Sequence, residues 1–238
     1  MNHDIERLKA SMMYVKGGSY VMGDTHRLYR PILGSGIGTA SMILDDFHIA
    51  SCPVTNAQWD AVTGDKSSGE PRLPKTNVTW HEVISFILKL NEMTNWNFRL
   101  PTECEWEYAA RGGDLSHDTL YSGSTILDSV GWYRANSHGA IRPVGMLQSN
   151  ELGLYDMSGN VKEWCADIYG SQYEKGPRTG LFSSERMPVK NPRGALSGNK
   201  RSIRGGSYRC DEKACWVFFR DKMSSDSRAG DVGFRLAY

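Results

Sequence analysis

The helical signals in this chain end at residue 112, and more than a hundred residues must then fold without them. Three segments open with a capping box, in which a threonine oxygen accepts from the backbone N–H three residues on and an acidic or amide side chain reaches back. They begin at Thr55 with Gln58, at Thr79 with Glu82 and at Thr102 with Glu105. Gly64 and Gly112 supply stops for the first and third. In the middle segment Val83, Phe86, Ile87 and Leu90 recur at helical spacing, and Ile84 and Leu88 widen the stripe, so a broad buried face is expected. Beyond Gly112 come turns and short strands rich in Gly, Ser, Asn and Asp. A stretch that long is usually functional or tied down by something. With 25 glycines, eleven tyrosines and seven tryptophans, the expectation is a single α+β domain over 1–238: loop-rich, with short antiparallel strands, about three helices and aromatic plugs.

Other segments read as strands. "MMYVKGGSYVMGD" alternates around Gly17-Gly18 and predicts a β-hairpin; "DDFHIASCPVT" predicts a strand leading into the first helix; "RSIRGGSY" and "VGFRLAY" predict closing strands. Residues 170–203 carry the weakest pattern and predict an exposed excursion.

Composition removes several functions. A net charge of +1 without a basic run supplies none of the electrostatic attraction that nucleic-acid binding requires. The longest apolar stretch, "EVISFILKLNEM", is interrupted by charge and shorter than the roughly 20 residues of a membrane span. The N-terminus lacks the basic start and apolar run of a signal peptide, which leaves export unreadable. Nothing calls for an oligomer, so a monomer is expected. Five cysteines at irregular spacing imply neither a disulfide framework nor a CxxC metal knuckle; Cys52, Cys104 and Cys165 read as buried small hydrophobes. Six scattered histidines form no constellation, and Glu103, Glu105 and Glu107 alternate by two along a helix, so divergent carboxylates are expected.

The anchors "GGSYVMGD", "PVTNAQW", "LPTECEWEYAARGG", "GLYDMSGNVKEWCAD", "RGGSY" and "GFRLA", in this order, resemble the formylglycine-generating-enzyme (sulfatase-modifying factor) family over nearly the whole chain. The resemblance implies a modified C-type-lectin-like fold and two different jobs. One is copper-dependent oxidation of a sulfatase cysteine to formylglycine; the other is ligand display by the variable proteins of diversity-generating retroelements. In the enzymes a serine and two cysteines carry the chemistry, and Ser207, Cys210 and Cys215 fall on that pattern. Paired thiolates also suit Cu(I). The enzymes' Pro-Asp-Ser-Ser-like element before GFR is missing from "WVFFRDKMSSDSRAGDV", whereas the variable-protein pattern fits without a gap.

That register places a varied segment at about 207–232. Arg209, Cys210, Asp211, Ala214, Phe219, Asp221, Ser227, Ala229, Gly230 and Asp231 take varied positions. Cys215, Val217 and Val232 are expected in the core, Arg220 on a fixed arginine, and Asp226 and Arg228 on a fixed Asp-x-Arg. Trp216 and Phe219 would complete a binding surface if they face solvent, and are packing if they do not. The resemblance implies a non-enzymatic protein that displays a site for an unknown protein or cell-surface ligand. It would lie at the cell surface or be secreted; otherwise a cytoplasmic location is expected. No cofactor is required. In "YDMSGNVKEW" the side chains of Asp156 and Glu163 and the carbonyls of Gly159 and Val161 resemble a family site for structural Ca2+; the alternative is a turn held by hydrogen bonds. Trp106, Tyr155, Trp164 and Phe234 read as core plugs.

Overall fold

Each capping box opens a helix in the computed structural model, which describes residues 3–28, 38–66, 69–171, 175–179 and 186–238. The elements in chain order are α1 (His3–Ala10), β1 (Met12–Val15), β2 (Gly18–Met22), β3 (Ala40–Leu44), β4 (Phe47–Ala50), α2 (Asn56–Thr63), α3 (Trp80–Thr94), α4 (Glu103–Ala110), α5 (Leu127–Val130), β5 (Lys162–Ile168), β6 (Val189–Lys190), β7 (Lys200–Arg204), β8 (Asp221–Ser224) and β9 (Val232–Gly233). Gly64 ends α2 in the left-handed conformation at φ 83°, and Gly112 follows α4 at φ 96°. The short helices α1 and α5 are additions to the expected three, α5 lying beyond residue 112 where no helical signal was expected, and Ile5 and Leu8 of α1 join the core cluster of Trp59 and Val62. The predicted α+β, loop-rich architecture is present, with β8-β7-β5-β9 as the largest sheet and two smaller ones, β1-β4 and β2-β3-β6.

The predicted hairpin is corrected. Both of its strands form, but β1 pairs with β4 and β2 with β3, so they belong to different sheets. Gly17 lets the chain pass from one to the other. A Cβ there would stand 2.3 Å from the Leu44 carbonyl oxygen, and its own N–H donates to Asp46 Oδ1 at 2.8 Å. In α3 the buried stripe is narrower than expected. Val83, Phe86, Ile87 and Leu90 are buried, but Leu88 is 59% exposed and lines an open cleft instead of the core. Trp59 stacks on Phe86 at 5.0 Å with Phe234 edge-on to both, while Trp106, Trp164 and Phe234 are fully buried and Tyr155 is half-buried. The weakly patterned stretch contributes β6 and β7; its residues 172–174 and 180–185 lie outside the described residues.

The glycine-rich half is fastened by buried charge. Glu103 and Glu107, four apart on α4, share one helix face, which corrects the expectation of divergence; only Glu105 points elsewhere, to Arg99. Glu107 meets Arg111 and Arg204, and Glu103 meets Arg220 at 2.6 Å through two nitrogens and also accepts from Ser202 Oγ at 2.7 Å. Despite the burial that would push it up, hydrogen bonds and charge from Arg220 and Arg204 hold the Glu103 carboxyl below its ordinary range. A second pair, Arg235 on Glu163, is wholly buried and bidentate at 2.6 and 2.7 Å, with Trp106 Nε1 donating to Glu163 at 2.7 Å. Charges removed from water this completely must be paired, so each pair fixes where its segment can lie.

Asp167 is the counter-case. Its oxygens accept from Gly194 N–H at 2.6 Å and from Glu103 N–H at 2.7 Å, but burial, then the charge of Glu103, raise its carboxyl to about 6. The folded state therefore binds this proton more tightly than the unfolded chain, whose carboxyl keeps its ordinary value of 3.8. Its contribution to stability is present below that value and is lost as pH rises to about 6. Asp167→Asn removes the titration. The stability difference, variant minus wild type, is expected to rise by about 3 kcal/mol between pH 3.5 and 7 in urea titrations, at roughly 1.36 kcal/mol per pKa unit.

Candidate functional site

The segment expected to be varied begins where β7 ends, at two consecutive glycines with positive φ (97° and 69°). Gly205 accepts from Gly159 N–H at 2.7 Å, and a Cβ on Gly206 would stand 2.7 Å from both the Ala214 carbonyl and Cys215 Sγ. The backbone thus folds over itself where only glycine fits. A short 3₁₀ turn follows at Glu212–Cys215. Arg204 holds the base of the loop by donating to the Phe219 carbonyl at 2.5 Å and the Val217 carbonyl at 3.3 Å.

Along 207–232 exposure alternates with anchoring. Arg209, Asp211 and Gly230 are exposed, and Cys210, Ala214, Trp216, Phe219, Asp221, Ser227, Ala229 and Asp231 are half-buried. Interleaved with them, Cys215, Val217, Phe218, Arg220 and Val232 are buried. Trp216 lies against Phe218 at 5.3 Å between ring centroids and packs on two hydrophobic clusters, so only part of its indole reaches the surface. At the far end Ala229 leans on the α3 core, its carbonyl accepts from Asn77 N–H at 3.0 Å, and Arg228 pairs with Glu82 at 2.7 Å.

One polar group ties the two ends of the segment together. Ser207 Oγ, itself buried, donates to Asp231 Oδ2 at 2.7 Å and lies 3.3 Å from Cys210 Sγ. Lys162 on β5 donates to Asp221 at 2.8 Å, and its backbone N–H donates to the Asp231 carbonyl at 2.9 Å. Burial lowers the Lys162 ammonium, but the Asp221 hydrogen bond and the charges of Cys210, Asp221 and Asp231 hold it above its ordinary value. Arg134 pairs with Asp211, and its N–H donates to the Cys210 carbonyl at 3.0 Å. Lys162 and Arg134 were not singled out in the sequence. Lys162 was detectable in principle, since it alternates with buried Val161 and Glu163 along a strand and so faces the opposite side.

The two cysteines have different surroundings. Cys215 is fully buried beside Tyr121, Leu127 and Val130, and burial, then the neighbouring Cys210, push its thiol far above its ordinary value. Cys210 is half-exposed, and all five cysteines are free thiols. As a pair of neighbouring thiols, Cys210 and Cys215 have the donor chemistry of a Cu(I) site. Calcium does not fit its expected residues. Both oxygens of Glu163 are taken by Arg235 and Trp106, and Asp156 accepts from Gly145 N–H at 2.8 Å and Asn160 Nδ2 at 3.3 Å. Burial raises Asp156 to about 6, against Gly145, Arg235 and Asn160. Among the described residues no group of three or more His, Cys, Asp or Glu side chains converges as a metal ion requires. These residues form a hydrogen-bonded turn.

A fold of short strands around capped helices, with a glycine-started C-terminal segment pinned by buried ion pairs, defines the class. The profile of the Sulfatase-modifying factor enzyme 1-like domain matches residues 2–238, and the chain belongs to that family. It is 34% identical to chaperone protein LppX of Paenibacillus barcinonensis over 185 residues, 55% of this chain and 65% of that one. It is 32% identical to the formylglycine-generating enzyme of Streptomyces coelicolor over 204 residues, 77% of this chain and 59% of the enzyme. The chain thus spans less than two thirds of either relative's length. Among solved structures it resembles Treponema denticola variable protein 1 with a TM-score of 0.78 and 28% identity, over 95% of this chain and 94% of that one. The C-type-lectin-like fold is shared with this variable protein, and a formylglycine-generating enzyme and a variable protein both stand among the similar proteins.

Proposed function

We propose that this chain is a non-enzymatic display protein whose segment 207–232 forms the binding surface for a protein or cell-surface ligand and is diversified by a diversity-generating retroelement. One observation carries the reading: all eleven candidate positions reach the surface, while the anchors between them are buried. Such a segment can change its surface without changing its backbone, because the packing energy sits in Cys215, Val217, Phe218, Arg220 and Val232. The likeness to the Treponema variable protein over nearly the full length of both chains supports the same reading.

The test is a set of variants with several of positions 209, 211, 214, 219, 227 and 230 replaced together. Their thermal midpoints are expected to stay close to that of the parent, since surface substitutions away from special features fall within about 0.5 kcal/mol each. Val217→Ala, by contrast, should cost roughly 1–3 kcal/mol as a buried truncation. Equal sensitivity at both kinds of position would reject the reading.

A second reading has its own support in the 3.3 Å approach of Ser207 Oγ to Cys210 Sγ, with Cys215 beside them. On that reading the chain is a formylglycine-generating oxidase, and Cys210 and Cys215 hold copper, which supplies the activation of oxygen. The full burial of Cys215, which pushes its thiol far above its ordinary value, weighs against it.

A further inference from the structure

A cleft between α3 and residues 193–196 lies away from the displayed segment, and none of its lining residues belongs to that segment. It has a volume of about 710 Å³, within the range of small-molecule sites. Its floor and one wall are apolar, from Ile84 and Leu88 of α3, Leu100 and Ile168. Leu88 is 59% exposed, and Leu196, on the stretch that runs over the cleft, is fully exposed. Aliphatic side chains left open to water around one concavity favour a ligand with an apolar body.

The charges around the cleft decide what kind of head group that ligand carries. Four acids line it, and each is already satisfied. Asp45 pairs with Lys190 at 2.8 Å, Asp46 accepts from Tyr14 Oη at 2.6 Å and Gly17 N–H, Glu105 takes Arg99 at 2.6 and 2.8 Å, and Asp167 accepts two backbone N–H groups. Two of the three lining arginines have no such partner. Arg193 is exposed and makes no hydrogen bond or ion pair among the described residues. The Arg201 guanidinium carbon lies 3.8 Å from the centre of the Trp80 ring, and its side chain donates to the Ala166 carbonyl at 2.8 Å, with no carboxylate within ion-pair distance among the described residues. Burial lowers the Arg201 guanidinium from its ordinary value, as expected of a cation whose desolvation is not offset by an ion pair. The cleft therefore offers a planar, half-buried guanidinium fork above an aliphatic wall, a combination that suits a carboxylate on an apolar chain.

We propose that the cleft between α3 and residues 193–196 binds a monocarboxylate with an aliphatic body of roughly ten carbons, its carboxylate on Arg201 with Arg193 at the mouth and its chain along Ile84, Leu88 and Leu196. The test uses the full chain and isothermal titration with decanoate, decan-1-ol and acetate as probes. Decanoate is expected to bind at one saturable site, decan-1-ol at least tenfold more weakly, and acetate without measurable affinity. Arg201→Gln and the exposed Arg193→Glu should each weaken decanoate about tenfold and leave decan-1-ol unchanged. Because Arg193 is exposed and has no partner among the described residues, its variant keeps the test decisive even if Arg201→Gln disturbs the Trp80 contact. Equal affinity for acid and alcohol, absence of saturation, or decanoate binding indifferent to both substitutions would overturn the proposal.

Discussion

Glu163→Ala is expected to lower the unfolding free energy by about 3–5 kcal/mol, a large part of what holds a domain of this size together. The cost comes less from lost attraction than from what is left behind. Arg235 is fully buried, and without Glu163 its hydrogen bonds go to carbonyls, those of Ala50 at 3.0 Å, Ser51 at 3.4 Å and Tyr155 at 2.8 Å, with the charge of Asp156 nearby but not in ion-pair contact. Trp106 Nε1, buried with it, loses the one acceptor it has among the described residues. Glu163→Gln keeps an acceptor for one donor but not the charge, and should fall between the two. Glu82→Ala is the control. Its pair with Arg228 is exposed, and such pairs contribute about 0–1 kcal/mol, though the loss of its reach back to Thr79 N–H adds the cost of a cap. Urea midpoints at neutral pH read all three. A cost at Glu163 no greater than that at Glu82 would contradict the role given to the buried pair.

Gly206→Ala, at the entry to the displayed segment, is expected to be a damaging single methyl group. Two costs add there. The backbone sits at φ +69°, a strain of order 1–3 kcal/mol for a residue with a side chain. The new Cβ would also stand 2.7 Å from the Ala214 carbonyl oxygen and Cys215 Sγ, which only a shift of the 3₁₀ turn relieves. Two other glycines separate these terms. Gly64 has φ +83° but nothing within 4 Å, so Gly64→Ala should show the backbone cost alone. Gly230, one of the varied positions, has neither positive φ nor a neighbour within 4 Å, and Gly230→Ala should change stability by less than about 0.5 kcal/mol. The predicted order in thermal midpoint is Gly230 least affected, then Gly64, then Gly206. Any variant of Gly206 that keeps the wild-type midpoint would show that the turn is not fixed as described.

These positions also show how much of the fold could be read from the sequence. Local chemistry was legible: the capping boxes at Thr55, Thr79 and Thr102 each need only three residues to be recognised, and each caps the helix it announces. Partnership at a distance was not. Gly17-Gly18 looks the same in sequence whether it turns a hairpin or carries the chain between two sheets, and only the Leu44 carbonyl against Gly17 decides which. Leu88 widens the apolar stripe of α3 by periodicity, yet faces a cleft, because periodicity says which side of a helix is apolar and not what stands opposite it. Glu103 and Glu107 were misread because the two-residue alternation drew attention away from their four-residue spacing, and the arginines that bury them lie 97 and 117 residues away.

In the candidate site the register was visible from "RGGSY" to "GFRLA". Its electrostatics were not. Lys162 reaches Asp221 across 59 residues and Ser207 reaches Asp231 across 24, and no local pattern relates either pair. Calcium ligation was suggested by the residue types in "YDMSGNVKEW", but the same oxygens satisfy Arg235, Trp106 and Gly145. A carboxylate's identity does not reveal which donor reaches it first.

The central claim, that this scaffold displays a surface and does not oxidise a thiol, is tested most directly by mass spectrometry of a Cys-x-Pro-x-Arg peptide incubated with the copper(I)-treated protein and oxygen, alongside its Cys210→Ser variant. The account predicts that the peptide thiol is recovered unchanged from both. Conversion of the peptide cysteine to an aldehyde by the wild-type chain, and its loss in Cys210→Ser, would contradict it.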